Sequence, residues 1–242
     1  MPASGGLSLV YRRPILVSTK LEPVRQPPDC ARSRRHVKLM PAIKRGVPVA
    51  TTPGPANNQE FIQRLLSPAR AATLDTLTVF SFCPINVYDT VAEIGCGPGF
   101  FTIPLAKALA NGKVLALDTD DEMLAACQDR LDEARMGNVE ILKCSEFEFP
   151  IDAGSVEGAF LAFVIQASPD KTRFLSAVRE KLQPRGWCSI IEWYKKQTAM
   201  GPPLERRIDP DDLEVVAQDA GFRTMGWRDL NGDNYMMTLR NS

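Results

Sequence analysis

The sequence predicts a doubly wound α/β fold: a mostly parallel sheet of seven strands that ends in a C-terminal antiparallel hairpin. Three observations carry this reading. Strand-length apolar runs alternate with amphipathic helical stretches from residue 87 to residue 221. The first run, in Val91-Ala-Glu-Ile-Gly-Cys-Gly-Pro-Gly-Phe100, stops at a glycine-rich turn that flows directly into the helix Phe101–Ala110. The last two runs, Phe222–Asp229 and Tyr235–Leu239, are joined only by the short turn Leu230–Asn234, so they must pair antiparallel.

Taken in order, residues 1–58 are rich in Pro, Arg and Ser and show no sustained apolar period. Such a segment cannot bury enough surface to offset its ordering entropy, so a mostly disordered basic extension is expected. Order is expected from Gln59, giving a domain over 59–242. Ser67-Pro68 supplies an N-cap and a first-turn proline for a helix running towards Phe80, which would pack over the ligand cleft. Val87–Ile94 is the first strand. Asn111-Gly112 stops the helix after the glycine turn, and Lys113–Asp118 is the second strand. Asp121–Met136 is a helix with Met123, Leu124, Cys127 and Leu131 on one face, ending at Gly137-Asn138. Val139–Lys143 is the third strand. Val156–Val164, apolar on both faces, is the fourth and central one. Ser168-Pro169-Asp170 caps a helix that runs to Leu182, and after Pro184-Arg185-Gly186 comes the fifth strand, Trp187–Trp193. Asp209–Asp212 opens the last helix with acids in its first turn, and Ala220-Gly221 ends it.

The chain carries 29 Lys and Arg against 29 Asp and Glu, but unevenly. Residues 1–50 hold ten bases and two acids, which leaves nineteen bases and twenty-seven acids for the rest, a net of −8. That balance argues against nucleic acid as a partner of the domain, since such binding usually needs a basic face. The longest apolar run, Ala159–Ile165, suits a buried strand and is far short of a membrane span. The six cysteines show no C-x-x-C pair, and there is no signal-peptide pattern, so free thiols in a reducing cytoplasm are expected. The extension itself has three readings. It is a solvated tail, an Arg-rich targeting peptide whose prolines oppose an amphipathic helix, or a nucleic-acid tether around Arg32, Arg34, Arg35 and Lys38.

The glycine turn points to a small-molecule site, because ligand binds at the carboxyl ends of parallel strands beside such a turn. Its spacing is G-x-G-x-G, with Phe100 where a dinucleotide fingerprint would have its third glycine. Glu93 precedes the turn, and Asp118 ends the second strand about twenty residues on, where a carboxylate accepts ribose hydroxyls. On these residues the chain resembles the class I S-adenosylmethionine-dependent methyltransferases, and within them the ubiquinone/menaquinone-type, small-molecule branch. Glu93–Gly99 looks like that family's first motif, Leu115–Asp118 its second, Ser155–Phe163 its fourth strand and Leu182–Gly186 the turn before its fifth. The resemblance covers residues 60–240.

The resemblance implies S-adenosylmethionine as cofactor, held by Glu93, Gly95, Cys96, Gly97, Gly99, Asp118, Thr119, Ser145, Glu146 and Phe163, with no metal. Glu93 would orient the ammonium end, Asp118 the ribose, and Ser145 or Glu146 the adenine edge, although the family's usual Asp is absent there. It implies transfer of a methyl group to a small-molecule acceptor as partner, with no membrane, and it sets no oligomeric state. Proximity alone supplies much of such a reaction, and a base is needed only for a protonated acceptor. The sole histidine, His36, lies in the extension. Gln166 and Glu192 are the candidate catalytic residues, Gln166 to orient a substrate and Glu192 as a base or anchor, each weighed against a structural role. The loop Thr198–Arg207, stiffened by Pro202 and Pro203, is either a lid over the same edge or a connector. Two rival functions remain open: a binding module that keeps the cofactor without turnover, and an RNA methyltransferase that uses the basic tail. A nicotinamide oxidoreductase fits less well because of Phe100 and the terminal hairpin.

Overall fold

The computed structural model describes residues 58–242. The expectations for the basic extension, His36 included, lie outside the described residues. Three short helices come first: α1 (Asn58–Leu65), α2 (Pro68–Thr73) and α3 (Thr76–Ser81). The single helix expected from Ser67 to Phe80 is therefore broken in two. Ser67 caps α2, its hydroxyl accepting the Arg70 N–H at 3.3 Å. Asp75 then caps α3, its carboxylate accepting the N–H groups of Leu77 and Thr78, both at 3.2 Å. An Asp that satisfies two orphan donors starts a helix better than it continues one.

Strands and helices then alternate as β1 (Thr90–Ile94), α4 (Thr102–Ala108), β2 (Lys113–Asp118), α5 (Asp121–Glu133), β3 (Val139–Lys143), β4 (Val156–Ala162), α6 (Lys171–Lys181), β5 (Leu182–Trp193), α7 (Pro210–Asp219), β6 (Phe222–Asp229) and β7 (Asn234–Asn241). β7 extends beyond the expected Tyr235–Leu239 at both ends, and three other strand limits differ from the sequence reading, each for a local reason. β1 starts late because Asn86–Asp89 closes a turn, with the Asn86 N–H on the Asp89 carboxylate at 2.9 Å. β4 stops at Ala162 because Phe163 takes a left-handed φ of 64°. β5 starts at Leu182 because the Asn241 amide donates to the Leu182 and Gln183 carbonyls, both at 3.0 Å, and holds that stretch against the sheet.

The seven-stranded sheet has the order β3-β2-β1-β4-β5-β7-β6. Its first five strands are parallel and its last two antiparallel, as the hairpin argument requires. Strand order reverses between β1 and β4, so a crevice opens at their carboxyl ends, where ligands bind in such sheets. Successive side chains alternate between the two faces. Ala92, Ile94, Leu161 and Ile190 pack with Phe174, Leu175, Leu213 and Ala217 from α6 and α7. Val91, Val114, Phe160 and Ile191 pack with Phe80, Leu105, Leu124 and Leu131 from α3, α4 and α5. Each such buried apolar side chain contributes about 1.5–3 kcal/mol relative to exposure, so both faces hold the sheet edge in place.

Candidate functional site

The glycine turn is built around three left-handed residues, Gly95, Gly97 and Gly99, with φ of 76°, 54° and 82°. A side chain at Gly95 would also collide with Val164, whose methyls lie 2.9 and 3.0 Å from the place a Cβ would take. The turn is tied to β2 twice. The Gly95 and Cys96 N–H groups donate to the Leu117 carbonyl at 2.7 and 2.9 Å. The Gly97 N–H donates to Asp118 Oδ2 at 2.8 Å, while Asp118 Oδ1 accepts the Asp120 N–H at 3.0 Å. Burial raises the Asp118 pKa, and these N–H groups oppose the rise. From α5, Arg130 donates to the carbonyls of Pro98 and Gly99 at 2.9 and 2.7 Å and fixes the far side of the turn.

A cavity of about 1400 Å³ opens over this edge of the sheet. A pocket for one small ligand is usually about 300–1000 Å³, so this one has room for a cofactor and a second molecule. One end is lined by Gly95, Cys96, Gly97, Asp118, Thr119, Asp120, Met123, Cys144, Ser145 and Glu146. The lining continues through Phe163, Val164, Gln166, Trp193, the loop Ala199–Pro203, Arg206 and Asn234, and Phe61, Arg64, Leu65 and Arg70 from α1, α2 and their connection close over it, Leu65 lying 3.9 Å from the place a Cβ would take at Gly97. The helices after Asn58 therefore cover the cleft, as Ser67-Pro68 foretold.

Most of the residues named from the sequence meet in this one cavity: Gly95, Cys96, Gly97, Asp118, Thr119, Ser145, Glu146, Phe163 and Gln166. Glu146 reaches across the mouth, accepting the Ser168 hydroxyl at 3.1 Å. Gln166 donates to the Phe163 carbonyl at 3.0 Å, and its Oε1 is buried without a partner.

Three others stand outside the wall. Gly99 faces α5, where a Cβ would lie 2.9 Å from Cys127 Sγ, so its role is to let the turn pack on that helix. Glu93 lies 3% exposed behind the turn, hydrogen-bonded to the Thr102 side chain, with one carboxylate oxygen unpartnered. Burial pushes its pKa up to about 8. Glu192 is fully buried beneath the short 3-10 turn Ile165–Ala167. Its Oε1 accepts the Gln166 N–H at 3.2 Å, with further backbone donors from Trp193 and Ile165. Burial raises its pKa to about 8 as well. Of the two roles weighed for Glu192, base or anchor against structural support, the geometry favours the second: one oxygen bonds the turn that carries Gln166, the other is buried without a partner, and Glu192 is not among the lining residues of the cavity.

The structure also adds residues that the sequence reading missed. Arg70 lies with its guanidinium carbon 4.6 Å from the Phe100 ring centroid and 5.4 Å from that of Phe163. Phe163 in turn meets Trp193 at a tilt of 42°, ring centroids 5.7 Å apart. Arg207 is buried inside the loop after β5, donating to the carbonyls of Pro202, Lys196 and Met200 at 2.9, 2.7 and 3.0 Å and lying over Trp193 at 5.1 Å. The ring partners of Arg70 become its neighbours only through the fold, whereas Arg207 closes its own loop on carbonyls 5, 7 and 11 residues before it. Among the described residues no group of three His, Cys, Asp or Glu is placed to hold a metal ion, and no helix is long and apolar enough to cross a membrane.

Comparison with known proteins gives the same site a class. Residues 91–186 match the family described as "Methyltransferase domain". The solved structure of a SAM-dependent methyltransferase from Aquifex aeolicus superposes with a TM-score of 0.71 at 25% identity, covering 76% of this chain and 98% of that one. By this domain match and by fold, the protein is like the S-adenosylmethionine-dependent methyltransferases. Within that class its likeness is to the ubiquinone/menaquinone type. It is 28% identical over 130 residues to the ubiquinone/menaquinone biosynthesis C-methyltransferase UbiE of Teredinibacter turnerae, covering 53% of this chain and 51% of that protein. It is 27% identical over 104 residues to the demethylmenaquinone methyltransferase of Lactococcus lactis, covering 43% and 41%. The chain thus spans about half or less of the length of these curated relatives.

Proposed function

We propose that this protein transfers a methyl group from S-adenosylmethionine to a small-molecule acceptor, and that the transfer takes place in the cavity over the β1–β4 switch point. The carrying observation is the single cavity, large enough for two ligands, that joins the glycine turn and Asp118 at one end to Phe163, Gln166 and Trp193 at the other. The residues at the first end fit the cofactor. Gly95 and Gly97 leave backbone open to a close approach, and the acids Asp118, Asp120 and Glu146 suit a ligand with ammonium and sulfonium charges and ribose hydroxyls. The unpartnered Glu93 oxygen lies close behind the turn and fits an ammonium reached through water.

When bound, the cofactor supplies an activated methyl on a positively charged sulfur. The chain's own residues then have to bind, orient and exclude water. Asp118 fixes the turn and accepts from the ribose on a remaining lone pair. Ser145 and Glu146 meet the adenine edge. Phe163, Trp193 and the Pro202–Pro203 loop form an apolar wall that aligns the acceptor, and alignment supplies much of the rate. Gln166 orients the acceptor, and Glu192 acts as a positioning residue through the Ile165–Ala167 turn. The quinone substrates named for the relatives make an aromatic acceptor the first class to try. A binding module without turnover is the second reading, favoured by the burial of the Glu192 carboxylate beneath the Ile165–Ala167 turn.

Calorimetry with S-adenosylhomocysteine and the full chain tests the cofactor end. Asp118→Ala should weaken binding by about 10-fold or more, the worth of one charge-assisted hydrogen bond. Unchanged affinity would remove the ribose assignment. A screen of phenolic and quinol acceptors with radiolabelled cofactor separates enzyme from module, since the module binds cofactor and transfers nothing.

A further inference from the structure

Cys96 sits between Gly95 and Gly97 in the glycine turn and lines the cavity. Its side chain is hydrogen-bonded to that of Cys127, which α5 brings up beneath the turn. Two further contacts fix Cys127 in that place. Its Sγ lies 3.8 Å from Thr102 Oγ1, in the first turn of α4, and 2.9 Å from the place a Cβ would take at Gly99. Gly99 in turn donates its N–H to the Cys96 carbonyl at 3.1 Å. The fold thus joins the sulfur of the turn to a second sulfur from the next helix.

The described cysteines differ in chemistry. Burial pushes Cys83 up to about 12 and Cys144 to about 11, and it raises Cys188 as well. Such thiols stay protonated and inert. Cys127 is moved the other way. The hydrogen bond from Cys96 holds it below the usual thiol value, and Thr102 and the Arg130 guanidinium add to this against burial. Cys96 is raised because it keeps the proton it donates to Cys127. A thiolate next to a protonated thiol is the arrangement from which a disulfide forms: the first sulfur takes the oxidant and the second displaces it. Cys127 is fully buried and Cys96 lines the cavity, so the cavity is the side from which a small oxidant approaches the pair.

We propose that Cys96 and Cys127 form a reversible disulfide when a peroxide enters the empty cavity, and that this bond draws the glycine turn onto α5 and weakens cofactor binding. The step balances with hydrogen peroxide as oxidant. The Cys127 thiolate attacks one peroxide oxygen, an S–O bond forms, the O–O bond breaks, and the leaving hydroxide takes up the proton Cys127 had lost. Cys96 then attacks the Cys127 sulfur, the S–S bond forms, the S–O bond breaks, and hydroxide leaves with the Cys96 proton as a second water. The two sulfurs give up two electrons and the peroxide gains them. A disulfide holds its sulfurs about 2.05 Å apart, well inside a hydrogen-bonded pair of sulfurs. The turn has little slack to supply the difference. Arg130 ties the Pro98 and Gly99 carbonyls to α5, and the Leu117 carbonyl holds the Gly95 and Cys96 N–H groups. Closing the bond shifts the backbone of Gly95–Gly97, the surface that the cofactor reading of this cavity gives to the cofactor, and the proposal rests on that reading.

The test treats the full chain with hydrogen peroxide, with and without S-adenosylhomocysteine, then alkylates and fragments it for mass spectrometry. The expected product joins the Cys96 and Cys127 fragments with the loss of two hydrogens, and S-adenosylhomocysteine should slow its formation. In calorimetry the oxidised protein should bind S-adenosylhomocysteine about 10-fold or more weakly, and dithiothreitol should restore the affinity. Cys127→Ser should bind within about twofold of the reduced parent both before and after peroxide. Cys127→Ala serves if the Ser variant fails to fold. A sulfinic acid at either position without the bond, a bond between other cysteines, or a Cys96–Cys127 bond that leaves the affinity unchanged overturns the proposal. So do equal rates of oxidation with and without S-adenosylhomocysteine, and a Cys127 variant that still loses affinity on treatment. Failure of the reduced parent to bind S-adenosylhomocysteine overturns instead the cofactor reading, and the joined fragments still decide whether the bond forms.

Discussion

Glu93 and Glu192 show how burial sets the behaviour of single residues. Each is a carboxyl sealed against opposite faces of the sheet, pushed from an ordinary 4.5 to about 8. In the unfolded chain both ionise near 4.5, while in the folded chain they stay protonated to about 8. The native state therefore holds more protons across that window, and stability falls as pH rises through it. Glu192→Gln keeps an acceptor for the Gln166 N–H and removes the ionisation. Its melting temperature should gain steadily on the parent's between pH 4.5 and 8 in scanning calorimetry, and a constant difference would contradict the assignment. Gly95 is the opposite case, a residue whose lack of a side chain is the point. Gly95→Ala should cost about 1–2 kcal/mol for the left-handed backbone alone, and more from the Val164 contact. Adding Val164→Ala should restore part of the lost melting temperature, because it relieves the collision but not the backbone.

At the scale of elements, the loop after β5 is organised by one side chain. Arg207 is 7% exposed and satisfies carbonyls of Lys196, Met200 and Pro202, so the loop is folded on a guanidinium in place of a core of its own. Hydrogen bonds to a charged group contribute about 1.5–3 kcal/mol each at most and are not additive. Arg207→Met should raise amide exchange across residues 196–203 by about 10-fold or more while the β5 amides stay protected. Equal exchange in loop and strand would mean that the arginine supports the whole domain. The same logic applies to the Ile165–Ala167 turn, which the Glu192 carboxylate holds from below.

The element pattern was legible in the sequence because it depends on local signals. The glycine turn, the Asn111-Gly112 stop, the Asp209–Asp212 start and the terminal hairpin all fall where their turn chemistry requires. What was misread depends on distant partners. The Ser67–Phe80 helix breaks because Asp75 caps a second one, and β5 gains its first residues because Asn241, at the far end of the chain, bonds their carbonyls. Of the residues named from the sequence, Gly95, Cys96, Gly97, Asp118, Thr119, Ser145 and Glu146 line one cavity, because parallel strands bring their carboxyl ends to one edge of the sheet. The rest could be read only in part: Phe163 and Gln166, just after β4, were named from the sequence, whereas Arg70 comes from a helix far away in the chain and meets Phe163 only in the fold.

On the scale of the whole molecule, the sheet and its covering helices make one unit over the described residues, with both faces packed and the cavity at one edge. We propose that this unit suffices for cofactor binding. Deletion of residues 1–57 should leave the melting temperature and the S-adenosylhomocysteine affinity unchanged, and loss of either would show that the extension is part of the domain. The sequence by itself determined the order of strands and helices, the glycine turn and the cofactor class, because period, caps and turn residues act over a few positions. Only the tertiary structure decided which carboxylates line the cavity and which are sealed, and that the Arg70 guanidinium stands among three phenylalanines. Burial and charge compensation belong to the packed sheet edge, where residues from β1, β4, β5 and α2 first come within reach of one another.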